Sequence, residues 1–272
     1  MSGKFTHYLI TRYNVPIPGF KVDKAGKFTC DEEWLEHRFT LFQKFCLPSV
    51  LHQSNKDFQW LIYTDRETPE KYFHQLKKLT QNETNINLFP VSDNKECLKH
   101  IDHILKQSLS PYVITSRLDN DDALGLNFIQ TIQQNFIEKD KVILNLLHGV
   151  GYDLSRNVVT MLYNMRKNHF TSLIEVKQIA GRHVTIRGFQ HDEVPGGYTV
   201  KNIPSKYSWL KIFHERNVKS RSFGYPIFSS TMDAKFGLQK NTLVDSFTKT
   251  ITYSGWWIVD GIKRKIFRIK TR

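Results

Sequence analysis

The chain has 272 residues, of which 40% are hydrophobic and 13% aromatic, enough for a sizeable core and too apolar for a disordered chain. Its 39 Lys and Arg against 26 Asp and Glu leave a net charge of +13, which calls for an anionic partner: nucleic acid, a small anion, an acidic polymer or a membrane surface. No helix-turn-helix, RRM or zinc-finger pattern supports nucleic acid, and no apolar window of ~18 residues predicts a membrane span.

Cys30, Cys46 and Cys97 form no CxxC pair, so neither a disulfide framework nor a zinc site is expected. The N-terminal MSGKFTHYLI is too short in apolar residues for a signal peptide, and a cytoplasmic address is expected.

The first predicted strand is Thr6–Thr11, ending in Arg12, Tyr13 and Asn14. After a Pro- and Gly-containing loop, Asp31 is placed to cap a helix whose Leu35, Phe39, Phe42 and Cys46 make one apolar stripe, with Pro48 bending or restarting it. Phe58–Tyr63 reads as a second strand, followed by Thr64, Asp65 and Arg66. Thr68 then caps a helix with Pro69 at its first position. A third strand over 86–90, an amphipathic helix over 97–109, a fourth strand over 112–118 and a helix over 126–139 follow. The repeating strand–helix–strand spacing predicts an α/β protein with a parallel, doubly wound sheet.

Beyond residue 140 the segments 142–147 and 157–162 are strand-like, separated by 149–156, with Asp153–Arg156 as a hairpin turn. Gln190, His191, Asp192 and Glu193 precede a Pro195–Gly196–Gly197 loop; this polar segment can supply a general base or act as a surface lid without chemistry. The tail 255–272 mixes Trp256, Trp257, Ile258, Ile262, Ile266 and Phe267 with six Lys and Arg. That composition suits an anionic membrane interface, and equally a C-terminal helix packed on the domain.

The chain is organised around Tyr112–Ala123, YVITSRLDNDDA. A β-branched run leads into three carboxylates within four residues, a cluster that needs a cation or hydrogen-bond donors. At the carboxyl edge of an open α/β sheet, Asp119-x-Asp121 can hold a hard divalent ion that grips a diphosphate. The competing reading is a solvated acidic turn that caps the next helix.

TSRLDNDDAL resembles the DxD segment of bacterial GT-A glycosyltransferases, and among them the rhamnosyltransferase family. ITRYNV, FQWLIYTDRETP, HFTSLIEV and the W-L-x-x-x-H-x-x-N run from Trp209 to Asn217 resemble further stretches of that family, so the likeness spans most of residues 5–217. It implies the GT-A fold, a Rossmann-like mixed sheet with flanking helices. The implied reaction moves a hexose, rhamnose or another, from a nucleoside diphosphate donor to a glycan or lipid-linked acceptor in surface polysaccharide synthesis. The resemblance sets Thr11, Arg12 and Tyr13 beside base and ribose, Asp65 near the uridine or thymidine, and Arg117, Asp119 and Asn120 in the rest of the donor site. It implies Mn²⁺ or Mg²⁺ on Asp119, Asp121, Asp122 and His214, with Asp121 foremost. An inverting transfer also needs a carboxylate base, for which Glu175, Asp192 and Glu193 are the candidates and Asp153 a weaker one.

The expected organisation is a GT-A domain over 1–217, with a nucleotide-sugar half (1–140) and an acceptor half (141–217). A basic extension over 218–272 follows and can place the protein peripherally on the inner membrane face. Two other classes stay open. A metal-dependent phosphotransferase or nucleotidyltransferase predicts further acids on a strand beside the motif. A non-catalytic module for anionic polymers predicts that removing Asp119 and Asp121 leaves binding intact.

Overall fold

Strands and helices alternate as expected through the first half of the chain in the computed structural model, which describes residues 3–17, 31–190, 193–216 and 222–255. β1 (Phe5–Arg12), β2 (Gln59–Asp65), β3 (Ile86–Val91) and β4 (Tyr112–Arg117) are parallel, in the spatial order β4-β1-β2-β3. Between them come α1 (Glu32–Leu41), a π-helical turn (Phe42–Cys46), α2 (Leu47–Leu51), α3 (Glu70–Thr80) and α4 (Asn94–Lys106). β1 is central and almost wholly buried, which is why its residues are apolar without strict alternation.

The predicted stripe Leu35, Phe39, Phe42 and Cys46 is buried along its length. Asp31 caps α1 by accepting from Trp34 N at 2.7 Å. The π-helical turn widens the backbone just before Pro48, so the restarted α2 takes the proline in its first turn, where no amide hydrogen is required.

Several boundaries differ from expectation. Thr68 does not cap α3; Pro69 holds that position, and Thr68 Oγ1 donates to Asp65 O (2.6 Å) and accepts from Asn14 Nδ2 (2.9 Å), tying the turn to the end of β1. α4 starts earlier because Asp93 accepts from Glu96 N at 2.7 Å. The helix expected over 126–139 is only α5 (Phe128–Gln134), preceded by β5 (Ala123–Leu124) and closed by Asn135, whose side chain donates to Thr131 O.

The larger sheet continues through β6 (Val142–Leu146), β9 (Ser172–Val176) and β10 (Thr199–Ile203), in the full order β10-β6-β9-β4-β1-β2-β3. β9 is antiparallel to both β4 and β6, so the sheet is mixed rather than wholly parallel. A second sheet is ordered β12-β8-β7-β11-β5, with β7 (Gly149–Asp153), β8 (Val158–Leu162), β11 (Trp209–Phe213) and β12 (Tyr225–Ile227). β7 falls where the sequence suggested only a connection. Its glycines conceal a strand: an added Cβ would lie 2.2 Å from the Trp209 ring at Gly149 and 2.6 Å from Thr160 Oγ1 at Gly151. Strand glycines of this kind mark close approach by neighbours.

Residues 222–255, expected as part of an extension, join the second sheet through β12 and bury Met232, Phe236, Leu238 and Leu243 in its core together with α6 (Met232–Lys235). The aromatic and basic residues 256–272, Cys30 and Asp192 lie outside the described residues. Among the described residues, no helix is long and apolar enough to cross a membrane.

Candidate active site

Parallel pairing collects chemistry at one edge of the large sheet. The registers Ile10 opposite Arg117 and Arg12 opposite Tyr63 bring the ends of β1, β2 and β4 to the same level. Beyond β4 the chain turns with Leu118 N donating to Ile10 O, and β5 then pairs antiparallel with β11, Ala123 opposite Leu210. The acidic loop 119–122 is thereby suspended between the two sheets. It caps no helix, because α5 has Asn127 at its N-terminus with no side-chain cap bond.

Each carboxylate meets a different cation. Asp119, the partly exposed member, accepts from Arg187 Nη1 at 2.9 Å. Burial opposes its ionisation, but Arg187, Arg117 and Lys211 together hold its carboxyl well below the usual range. Asp121 is buried, forms an ion pair with Arg38, and has Oδ2 2.9 Å from His214 Nε2. Burial opposes its ionisation too, and is outweighed chiefly by Arg38 and the His214 hydrogen bond, so its carboxyl is lowered. Asp122 is fully buried; Lys211 Nζ donates to Oδ2 at 2.8 Å and Ile212 N to Oδ1 at 2.9 Å. Burial pushes its carboxyl up to about 7, Lys211 pulling it back while Asp121 and Asp119 add to the rise.

The other expected donor-site residues divide into surface and core. Arg12 is part-buried, donates to Asn94 Oδ1 at 2.7 Å, and has its pKa lowered to about 10 by burial and by the neighbouring Arg187 charge. Asp65 ends β2 half-exposed, its Oδ1 accepting from Glu67 N. Arg117 is buried at the end of β4 and contributes its charge to Asp119.

Thr11 and Tyr13 are corrections. Thr11 Oγ1 accepts from Trp60 Nε1 at 2.9 Å inside the core, and Tyr13 is 2% exposed with its ring edge-on to Phe42. Strand alternation and the turn after β1 point both side chains inward, so neither is available to stack on a base. Asn120 is also a tie: it donates to Tyr13 O at 2.6 Å and accepts from Arg38 Nη1 at 3.2 Å.

Among the base candidates, Glu175 is displaced most from expectation. Because β9 runs antiparallel, Glu175 pairs with Val113 at the start of β4, the sheet edge opposite the acidic loop. Its carboxylate accepts from Val184 N (2.8 Å) and Thr185 N (3.0 Å), and burial pushes it up to about 7. Asp153 folds over its own turn, accepting from Ser155 and Arg156. Glu193 is exposed on the loop between Phe189 and Tyr198, whose rings are 5.6 Å apart. Neither neighbour of β4 adds an acid at the loop's edge, since β1 ends in Arg12 and β9 carries Glu175 at its far end.

The sequence reading passed over Arg38, His37, Lys211 and Arg187. A lysine inside the buried run W-L-K-I-F and an arginine on the inner side of α1 are visible signals, because buried cations are rare unless paired. His37 Nε2 lies 3.2 Å from His214 Nδ1, so both imidazole nitrogens of His214 are engaged. Arg216 reaches back to Asp31 and Glu33 at the start of α1.

Among the described residues, no group of three or more His, Cys, Asp or Glu is disposed to share a metal ion. The expected quartet separates for a physical reason: Lys211 and Ile212 N occupy both oxygens of Asp122, and Asp119 faces Arg187. Asp121 and His214 do meet. The Asp121 Oδ2 that faces His214 is also ion-paired with Arg38, so a divalent ion held by this carboxylate and imidazole would have to displace that pair.

A family model described as "Putative rhamnosyl transferase" matches residues 6–225. A search of curated proteins finds no match. Among solved structures, S. aureus TarS 1–349 in complex with UDP-GlcNAc is 13% identical, with a TM-score of 0.43 over 85% of this chain and 64% of that one. TarS 1–349 in complex with UDP is 13% identical, with a TM-score of 0.43 over 77% and 60%. The chain thus spans less than two thirds of either TarS chain.

Proposed function

The chain belongs to the rhamnosyl transferase family; from that premise we propose that it is a glycosyltransferase that moves a hexose from a UDP- or dTDP-linked donor to a hydroxyl of a glycan or lipid-linked acceptor, with Mn²⁺ or Mg²⁺ bound at the acidic loop. Rhamnose is the donor sugar the family name suggests, and bacterial surface polysaccharide is the product class we assign.

The observation that carries this reading is the meeting of Asp121 with His214, 93 residues apart, at 2.9 Å. One comes from the loop after β4 and the other from the end of β11. Asp121 and His214 would hold the divalent ion, and that ion would supply charge neutralisation to the departing nucleoside diphosphate. Asp119, partly exposed beside them, is suited to a donor hydroxyl, and Arg187 keeps it ionised and oriented. Arg12 brings a fixed positive charge to the end of β1, and Asp65 an acceptor to the end of β2. Lys211 and Asp122 lock the loop onto β11 and take no part in the transfer.

The acceptor hydroxyl must lose a proton as it attacks. Glu193 is exposed six residues beyond Arg187, whose side chain is fixed at Asp119. We assign the base to this loop, to Glu193 or its neighbour Asp192, and not to Glu175. The basic tail 256–272 would bring the enzyme to an anionic membrane carrying a lipid-linked acceptor.

Calorimetric titration with UDP and dTDP, with and without Mn²⁺, tests the proposal. One nucleotide should bind, more tightly with metal, and Asp121→Asn or His214→Ala should abolish the metal-dependent part. Binding of neither nucleotide by the folded protein refutes it.

A further inference from the structure

One segment outside the acidic loop is pinned along its whole length, and its far end is the group that holds Asp119. His183 N and Nδ1 both lie 2.8 Å from Asp102 Oδ1 on α4, while His183 Nε2 accepts from Gln178 N at 3.0 Å. Val184 N and Thr185 N donate to the two oxygens of Glu175 at 2.8 and 3.0 Å. Ile186 N donates to Thr115 Oγ1 at 2.9 Å, and its side chain is buried against Ile143 and Leu173. Arg187 then donates through Nη1 to Asp119 Oδ1 at 2.9 Å, and through Nη2 to Ile10 O at 2.8 Å and Leu118 O at 2.6 Å.

Residues 183–187 therefore run over the sheet from the level of Val113, beside Glu175, to the acidic loop. Six residues of β4 and its continuation separate those levels, roughly 20 Å of strand. Thr185 carries a φ of +62°, a left-handed conformation that is uncommon for a β-branched residue and must be held by its surroundings. The bidentate hold of Glu175 on consecutive amides at 184 and 185 is the nearest such constraint. Gly188 follows where an added Cβ would lie 2.2 Å from Val184 O, so the strap turns back tightly just after the arginine.

Arg187 is too deeply buried to be the donor's own ligand, its side chain being 1% exposed. Its three acceptors are Ile10 O within β1, Leu118 O just past β4, and the partly exposed Asp119. We propose that Arg187 is a positioning residue of the donor site, fixing Asp119, and that Glu175 at the opposite sheet edge is the anchor that holds Arg187 in register. This rests on the donor reading above and deepens it: the acid that resembled a base acts at a distance, through the backbone of 184–187.

The test is a double-mutant cycle on nucleotide affinity, using UDP and dTDP with Mn²⁺ and the variants Glu175→Gln, Arg187→Met and both together. Gln keeps the size of Glu175 but turns a side-chain NH2 donor toward one of the two backbone N–H groups, which it cannot accept from. Each single change should weaken binding roughly tenfold or more, as for loss of hydrogen bonds to a charged group, and the double variant should bind no more weakly than Arg187→Met alone. Arg187→Lys, which keeps the charge, should recover part of the loss and replaces Arg187→Met in the cycle if the latter does not fold. Hydrogen exchange at Val184 and Thr185 should accelerate in Glu175→Gln without nucleotide. Unchanged affinity in Glu175→Gln, or an equal further loss when it is added to the Arg187 variant, overturns the proposal. If the wild type binds neither nucleotide, the donor reading itself falls, and this inference with it.

Discussion

Replacing Lys211 with Met removes the cation from Asp122, fully buried among the described residues, and distinguishes the loop's architecture from its chemistry. The Lys211 and Asp122 side chains are 10% and 0% exposed, and Nζ to Oδ2 is 2.8 Å. Without the ammonium, Asp122 keeps only the Ile212 amide. Breaking a buried pair from one side costs about 3–5 kcal/mol. Burial and the charges of Asp121 and Asp119 have already lifted the Asp122 carboxyl to about 7, so protonation limits the loss to roughly 3 kcal/mol at neutral pH. Against a total stability of about 5–15 kcal/mol this is a large fraction. Urea denaturation should show it as a lower midpoint with an unchanged slope. Adding Asp122→Asn should recover most of it, because a neutral amide no longer needs the ammonium. The folded fraction of each variant should keep Mn²⁺-dependent nucleotide affinity. If Lys211→Met lies within about 0.5 kcal/mol of wild type, Asp122 is already neutral in the folded protein and the Lys211 pair does not lock the loop.

Glu175 gives a pH signature. Its carboxyl is pushed up to about 7 by burial, against an ordinary value of 4.5, so the native state binds its proton more tightly than the unfolded state does. The stabilisation is present at low pH and is lost as pH climbs through 7. Between pH 5 and 8 the wild type should therefore lose roughly 2–3 kcal/mol relative to Glu175→Gln, measured by urea denaturation; a constant difference would show that Glu175 is not buried against the strap. Gly149→Ala should destabilise by about 1–3 kcal/mol in the same assay, because its Cβ would sit 2.2 Å from the Trp209 ring, which is stacked on Phe170 at 4.8 Å. A neutral result would mean that Trp209 can shift without loss. Removal of residues 256–272 should reduce cosedimentation with vesicles containing anionic lipid and leave nucleotide affinity unchanged; equal sedimentation would remove the tail from the membrane reading.

The acidic loop was legible because its signal is local: a β-branched run gives a buried strand, and three acids at its end need cations whatever the fold. What answered those acids was not local. Lys211 lies 89 residues from Asp122 and Arg187 lies 68 from Asp119, and each pair meets only through sheet topology. His214 was legible only through the likeness of the run from Trp209 to Asn217 to a family stretch, and β11 delivers it to Asp121 just past its last residue.

Glu175 was a candidate from the likeness of HFTSLIEV to a family stretch, and strand direction decides where it sits. In a wholly parallel sheet a residue late in its strand sits at the carboxyl edge, beside the chemistry. β9 runs the other way, so the same residue opposite Val113 sits at the far edge, and only strand direction decides between the two. No residue within β9 encodes that direction; it follows from the connections through the second sheet that precede it. The reversal that takes Glu175 away from the transfer also puts its carboxylate under the strap, where it can act on the site through Arg187. A single antiparallel strand in this sheet thus turns a candidate base into a support for the acid 56 residues before it in the chain.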